Sequence, residues 1–410
     1  MTSTSSTSAP AVDERPLAGL RVLDIATFIA APFCGATLAE FGAEVIKVEQ
    51  PEVGDPLRYW GTQTECGDSL VWLSEARNKK SVTLDLRTEQ GKRIFRQLVA
   101  KSDVVLENFR PGTLEKWGLG YDALAEINPG LVMLRVSAYG QTGPYKDRPG
   151  YARIAHAFSG LSHLAREPGG KPVMPGSTSL ADYFSGLYGA VGVMMALRSR
   201  EKTGRGQSID IGLYESIFRI MDELVPSYGR SGFVRQPMGA DTVNIVPHSH
   251  YQAKDGKWVA VACSSDRMFE RLAATMGSPE LATDERYRTM RERDKRRDEL
   301  NAKVGEWVAS MPAAEVLERC EANEMACGLL YDIADIFEDP QYKERGNIKT
   351  MQDSRVGTYH APNVIPRLSA TPGHLDTLGP ALGAHNAEVY GELLAMTAAD
   401  LASLRSAKVI

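Results

Sequence analysis

From Leu20 onward, short apolar runs alternate with stretches of helical periodicity, and this alternation restricts the possible folds more than any other feature of the chain. Residues 20–25 (LRVLDI) read as a buried strand, and residues 45–48 (VIKV), 81–86, 104–106 and 131–136 as further strands. Between the first two, Pro32 suits the first turn of a helix running to about Phe41, because the amide it lacks would have no partner there. Gly42 follows as a residue able to end that helix in the left-handed conformation. Residues 89–100 have helical spacing. Strand–helix–strand repetition of this kind predicts a parallel, doubly wound α/β sheet. A long helix is expected from about Ala181 to Arg200, its first half carrying Gly186, Gly189, Ala190 and Gly192. Glycine inside a helix costs about 0.5–1 kcal/mol against alanine, so a backbone or a ligand is expected to approach closely there. After residues 203–207 (TGRGQ) come a strand, 208–211, and another helical stretch. A second unit is expected from near Val243, with a strand over 258–262 (WVAVA).

The 410 residues hold two or three domains' worth of core. With 43% hydrophobic and 24% charged residues, the composition excludes a largely disordered or fibrous chain. A formal net charge of −5 supplies no global drive toward nucleic acid or an anionic membrane. The longest uncharged stretches, 25–39 and 183–197, are shorter than the roughly 20 apolar residues of a spanning helix. No nucleic-acid or membrane partner is therefore expected. The five cysteines are scattered without a Cys-x-x-Cys pair, which excludes a disulfide framework or zinc knuckle and fits a reducing cytoplasm. The opening MTSTSSTSAP lacks the apolar core of a secretion signal and reads, over residues 1–15, as a disordered tail. Residues 291–299 (RERDKRRDE) are nearly neutral and read as a solvated helix face.

Common catalytic motifs are missing. The first strand–loop–helix, DIATFIAAPF, has no G-x-G-x-x-G, so dinucleotide binding there is disfavoured. No Walker lysine motif and no G-x-S-x-G occur. His248 and His250 would share one strand face, but nothing completes a metal site, and no metal is expected. Polar, conformationally constrained stretches remain at 78–81, 107–112 and 140–150. They offer Lys79, Lys80, Arg110, Lys146 and Arg148 to one rim, with Lys116 close behind, as a phosphorylated ligand would require; the alternative is surface charge on turns. Asp182, at the start of the small-residue helix, is either an N-cap or a carboxylate nucleophile kept ionised by the helix terminus.

Taken in order, PLAGLRVLDI, FGAEVIKVE, GDPLR, NKKSVTLDL, DVVLENFRPG, GQTGPYKDRPGY, ADYFSGLYGA, TGRGQSIDI and LGPALGAHN form a specific signature. By them the chain resembles the class III CoA transferases, the group of formyl-CoA, carnitine and succinate–hydroxymethylglutarate CoA-transferases, from about Pro16 to its end. The resemblance implies a Rossmann-like large domain split in sequence, plus a smaller α+β domain, in an interlocked homodimer. Its expected boundaries are 16–200 for the first part of the large domain, 201–240 for a linker, 241–330 for the small domain and 331–410 for a return segment. The resemblance implies Asp182 as the catalytic residue. It implies coenzyme A contacts at Phe28, Ile29, Ala30, Gln50, Leu84, Arg87, Asn108, Phe109, Arg110 and Lys116. A CoA thioester would be a co-substrate, with no permanently bound cofactor.

Where formyl-CoA transferases carry glutamine this chain has Ile29, and their glycine run is missing. Where related α-methylacyl-CoA racemases carry an acid/base histidine it has Tyr151, followed by Ala152 and Arg153. Arg58, Arg77, Arg148, Tyr151 and Arg153 are therefore expected around a substrate with a second carboxylate, held as a forked ion pair. The implied activity is transfer of CoA from an acyl-CoA, with succinyl-CoA as donor, to a free dicarboxylic acid through an aspartyl-CoA thioester. An acyl-CoA racemase or epimerase and a non-catalytic acyl-CoA binder are the alternatives.

Overall fold

The computed structural model describes residues 14–410; the tail expected over residues 1–15 lies, up to residue 13, outside the described residues. Arg15 is already tied down, its guanidinium donating to Asp376 at 2.9 Å. The chain divides into two units, one of residues up to 161, 174–225 and 344–410, the other of 162–173 and 226–343.

In the first unit, β1 (Arg21–Asp24), β2 (Glu44–Glu49), β3 (Lys79–Thr83), β4 (Val104–Glu107), β5 (Val132–Ser137) and β6 (Ser208–Gly212) form one sheet in the order β3-β2-β1-β4-β5-β6. Every pairing is parallel. Its helices include α1 (Ala30–Glu40), α2 (Glu89–Val99), α3 (Thr113–Lys116), α4 (Ala152–Phe158), α5 (Leu180–Thr203) and α6 (Leu213–Phe218). Successive strand residues point to opposite faces, so the sheet builds two cores. Val22, Val104, Leu106, Val132, Leu134 and Val136 pack with α1 and α5. Leu23, Ile46, Val105 and Met133 pack on the other face with Ile94 and Phe95 of α2. The strand order reverses between β1 and β4, where sheets of this kind form a crevice beyond their carboxyl ends.

Helix α1 starts at Ala30, which puts Pro32 in its first turn as expected, at a third residue whose missing amide would have no internal acceptor. Local departures from the sequence reading have physical causes. Strand β3 is 79–83, not 81–86, because after the Leu84 amide donates to Glu49 the Asp85 amide turns away to the Val409 carbonyl. The expected 201–240 linker is not one segment: β6 and α6 belong to the first unit and residues 226–240 to the second, while the return begins at 344. The glycines of α5 face protein rather than ligand. A Cβ at Gly186 would stand 2.6 Å from the Ala30 carbonyl, and one at Gly189 would stand 2.6 Å from a Leu134 methyl. By length and composition α5 could cross a membrane; here it packs against α1 and β5. The LGPALGAHN segment closes the β3 edge, which would otherwise be open to pairing. His385 Nδ1 accepts the Ser81 amide at 3.1 Å, Asn386 accepts the Thr83 amide at 2.8 Å, and Tyr390 donates to the Thr83 carbonyl at 2.8 Å.

The second unit has an antiparallel sheet, β7 (His248–Gln252), β8 (Trp258–Ala262) and β9 (Cys327–Leu329), in that order. Its core joins Val259 and Val261 to Phe269, Leu300, Val304 and Val316. Arg293 corrects the reading of 291–299 as a solvated face. It is fully buried, donating to the Val246 and Tyr287 carbonyls and to Asp266, with its guanidinium over the Phe269 ring. His248 is half-buried and His250 exposed on β7, and among the described residues no His, Cys, Asp or Glu cluster forms a metal site.

Candidate active site

The loops leaving β1 and β4 meet at the crevice. Asn108 clamps Thr27 from both sides, accepting its amide at 2.8 Å and donating to its carbonyl at 2.7 Å. A buried ion cluster fixes the same loop from below. Lys47 donates to the Ala26 carbonyl and pairs with Asp55 at 2.9 Å and Asp24 at 3.5 Å. Asp55 in turn accepts the amides of Phe28 at 3.0 Å and Leu57 at 2.9 Å. Burial alone would raise the Asp24 carboxyl, but Lys47 and Lys79 hold it below its ordinary value. Burial would likewise lower Lys47, and Asp24, Asp55 and Glu49 outweigh it, so the ammonium stays charged. Held this way, Phe28 sits at φ +61°, a left-handed conformation unfavourable for an aromatic residue and typical of functional loops.

Three cavities adjoin along these strand ends. One of about 210 Å³ is lined by Gln50, Leu84, Arg87, Phe109 and Trp117. A second, of about 110 Å³, is lined by Arg110, Lys146 and Arg148. A third, of about 140 Å³, is lined by Phe28, Ala30, Tyr151 and Asp182. Thr27 borders the first and third, Phe109 the first and second, and Asn108 the second and third. The series gives a long, flexible ligand room to run from the β2–β3 ends to the start of α5.

Asp182 is the third residue of α5, and it does not cap the helix: Ser179 is the capping residue. The free amide of Ala181 instead donates to His156 Nε2 at 3.0 Å. Burial, and next the charge of Arg153, pulls His156 below its ordinary value, which keeps its ring neutral for this acceptor role. The Asp182 carboxyl has no hydrogen-bond or ion-pair partner among the described residues, and burial pushes it up to about 7. A carboxylate left unpaired against a cavity is a poor structural element and a competent nucleophile.

Of the residues expected in the site, Phe28, Ala30, Gln50, Leu84, Arg87, Asn108, Phe109, Arg110, Arg148, Tyr151 and Asp182 line this series. The others do not. Ile29 packs in the core with Leu57, Trp72 and Leu73. Lys116 and Arg153 are exposed outside the cavity walls. Arg58 is 2% exposed and fully committed: it forks onto Glu49 at 2.7 and 2.8 Å, pairs with Asp68 and lies 3.8 Å above the Trp72 ring. Arg77 spends its donors on Ser74, the Pro362 carbonyl and Glu40. Neither can take a substrate carboxylate. Lys79 and Lys80 also leave the expected rim. They stand at the amino end of β3, where Lys79 is buried against Asp24 at 2.9 Å and Lys80 pairs with Glu44 and Glu388.

Sequence reasoning missed Trp117, Ser137, His156 and the Lys47–Asp55 pair. Trp117 stands edge-on to Phe109 at 5.5 Å, and its place one residue after Lys116 was the available signal. His156 carried none, because it meets Ala181 only through the fold.

A family model described as CoA-transferase family III matches residues 17–386. The succinyl-CoA–L-malate CoA-transferase alpha subunit of Chloroflexus aurantiacus is 52% identical over 406 residues, covering 99% of this chain and 95% of that one. The beta subunit of the same organism's enzyme is 55% identical over 397 residues, covering 96% and 98%. A CaiB/BaiF family protein from Brucella suis, known from its crystal structure, superposes with a TM-score of 0.81 at 35% identity, covering 92% of this chain and 99% of that one.

Proposed function

The chain belongs to CoA-transferase family III, and on that premise we propose that it moves CoA from succinyl-CoA to a free dicarboxylic acid, with Asp182 as the covalent carrier. The principal support is the unpartnered Asp182 carboxyl at the end of a cavity series that begins at Gln50 and Arg87. The donor and acceptor classes follow the names of the relatives, which act on succinyl-CoA and L-malate.

An Asp182 oxygen attacks the acyl carbonyl carbon, the C–S bond breaks, and CoA leaves as thiolate from a mixed anhydride. The thiolate then attacks the Asp182 carboxyl carbon, breaking the anhydride C–O bond and freeing the donor acid. The aspartyl-CoA thioester that results passes CoA to the acceptor by the same steps in reverse. Each step exchanges a carboxylate for a thiolate, so atoms and charge balance without a further reactant. The adjoining cavities would hold the pantetheine arm, which keeps the released thiolate next to Asp182.

The assembly expected for the family, an interlocked homodimer, is supported by an exposed apolar face on α5 formed by Leu187, Val191, Met194 and Met195. The alpha and beta subunit relatives favour a second arrangement, pairing with a sister chain.

Incubation with succinyl-CoA and a pool of malate, citramalate, mesaconate, glutarate and acetate, followed by mass spectrometry, tests the activity. New dicarboxylyl-CoA thioesters that vanish in Asp182→Ala are the expected result. Deuterium wash-in at the α-carbon of an acyl-CoA without acyl exchange would replace the transferase with a racemase.

A further inference from the structure

The Asp182 carboxyl has no hydrogen-bond or ion-pair partner among the described residues, so its place in the cavity is set by the backbone that carries it. The Asp182 amide turns back to the Ser179 carbonyl at 2.9 Å. The Ala181 amide, one residue earlier, belongs to the first turn of α5 and has no acceptor inside the helix. The His156 ring supplies one, Nε2 accepting at 3.0 Å; Ala181 is fully buried and His156 is 1% exposed. The Ser216 hydroxyl of α6 stands 3.3 Å from the Ala181 carbonyl and 3.0 Å from the Ser185 hydroxyl, one turn further along α5. Both flanking helices border the site, since Tyr151, which caps α4, and Leu213, the first residue of α6, line the Asp182 cavity. An accepting Nε2 places the ring proton on Nδ1, and Nδ1 is buried without a hydrogen-bond partner. An unpaired buried donor costs stability, so the ring is poorly suited to packing alone, and its service is to the Ala181 amide.

We propose that His156 is a positioning residue for the transfer: by holding the Ala181 amide it fixes the first turn of α5, and with it the point from which the Asp182 carboxylate meets the acyl carbonyl. The proposal rests on the reading of Asp182 as covalent carrier and deepens it. Attack needs the reacting atoms aligned at about 3–3.5 Å, and a displacement of about 1 Å costs on the order of a hundredfold in rate. A carboxyl without partners has nothing else to restore its place, so loosening Ala181 is felt in the chemical step rather than in the binding of the thioester. Glutamine tests the responsible atom, because its Oε1 can stand where Nε2 stands and accept the same amide. Leucine fills similar space and accepts nothing. Leucine also removes the unpaired Nδ1–H as it unpairs the Ala181 amide, so the melting temperature should stay close to wild type while the rate falls.

The test is the first half of the reaction alone. Wild type, His156→Leu and His156→Gln are mixed with succinyl-CoA without acceptor, and the initial rate of protein-bound CoA formation is followed by intact mass across succinyl-CoA concentrations. His156→Leu is expected to lower the maximal rate by about tenfold to a hundredfold at an unchanged half-saturating concentration, and His156→Gln to restore most of it. A wild-type rate in His156→Leu overturns the proposal. So does a loss confined to the half-saturating concentration, which would assign the ring to binding, or a glutamine variant as slow as the leucine one, which would assign it to packing. Should His156→Leu fail to fold, His156→Asn, too short to reach Ala181, takes its place in the same comparison with glutamine. If wild type itself acquires no CoA, the carrier reading fails instead. The anchor is then read from amide hydrogen exchange at Ala181, which should be faster in the leucine or asparagine variant than in wild type; equal exchange overturns it.

Discussion

At the residue scale the account turns on Asp182, a carboxyl raised to about 7 by burial alone. The nucleophile must be ionised, so kcat/KM for acyl-CoA should climb with pH to a plateau with an apparent pKa near 7. A flat profile between pH 5 and 8 would contradict it. Folding is affected in the opposite sense. With the native pKa raised above the unfolded one, the protein binds more protons folded than unfolded between the two values, so stability falls as pH rises through that window. Wild type should lose stability relative to Asp182→Asn from about pH 4 to about pH 7, by at most about 4 kcal/mol. Denaturant midpoints of the two proteins across that range measure it. The sequence left Asp182 open between a helix cap and a nucleophile; Ser179 occupies the cap position and the free Ala181 amide goes to His156, 25 residues before it, which leaves the Asp182 carboxyl unpaired among the described residues. It also offered six arginines and lysines, Arg58, Arg77, Lys79, Lys80, Lys116 and Arg153, that the fold consumes or displaces. Ion pairs such as Arg58–Glu49 are formed by strand register and loop return, which local spacing does not encode.

At the element scale, the strands and the small-residue helix were legible because each carries its own periodicity or glycine pattern. Their ends were not: β3 stops at Thr83 only because Asp85 finds the Val409 carbonyl in the last residues of the chain. The glycines of α5 let α1 pack closely, and two of them predict different outcomes. A Cβ at Gly186 meets backbone, the Ala30 carbonyl, whereas at Gly189 it meets the movable end of Leu134. Gly186→Ala should therefore destabilise by about 1–2 kcal/mol, overpacking outweighing the gain in helix propensity. Gly189→Ala should lie within about 0.5 kcal/mol of wild type, the same gain offsetting a cheaper rearrangement. Urea unfolding separates the two, and equal losses would contradict the contact geometry. The Gly186 substitution bears on function as well, since Ala30 lines the Asp182 cavity.

At the scale of the whole molecule, the parallel sheet and a split large unit were readable from alternation and family resemblance, but the points where the chain leaves and rejoins that unit were not. Residues 162–173 belong to the second unit, an excursion too short to leave a compositional mark. Assembly is the open quantity at this scale. Interlocked chains cannot separate without unfolding, so the dimer mass should persist on dilution to nanomolar concentration in light scattering or mass photometry. A concentration-dependent monomer would contradict interlocking, and a mass requiring a different sister chain would favour the heteromer. Both assemblies leave the central claim, that Asp182 carries CoA covalently, to a single measurement. The protein is mixed with succinyl-CoA in the absence of acceptor, digested, and the Asp182 peptide weighed with and without hydroxylamine. The account predicts a peptide heavier by one CoA less water, converted by hydroxylamine to an Asp182 hydroxamate and absent from Asp182→Asn. Acyl exchange that proceeds with an unmodified Asp182 peptide, or with the adduct on another residue, would contradict it.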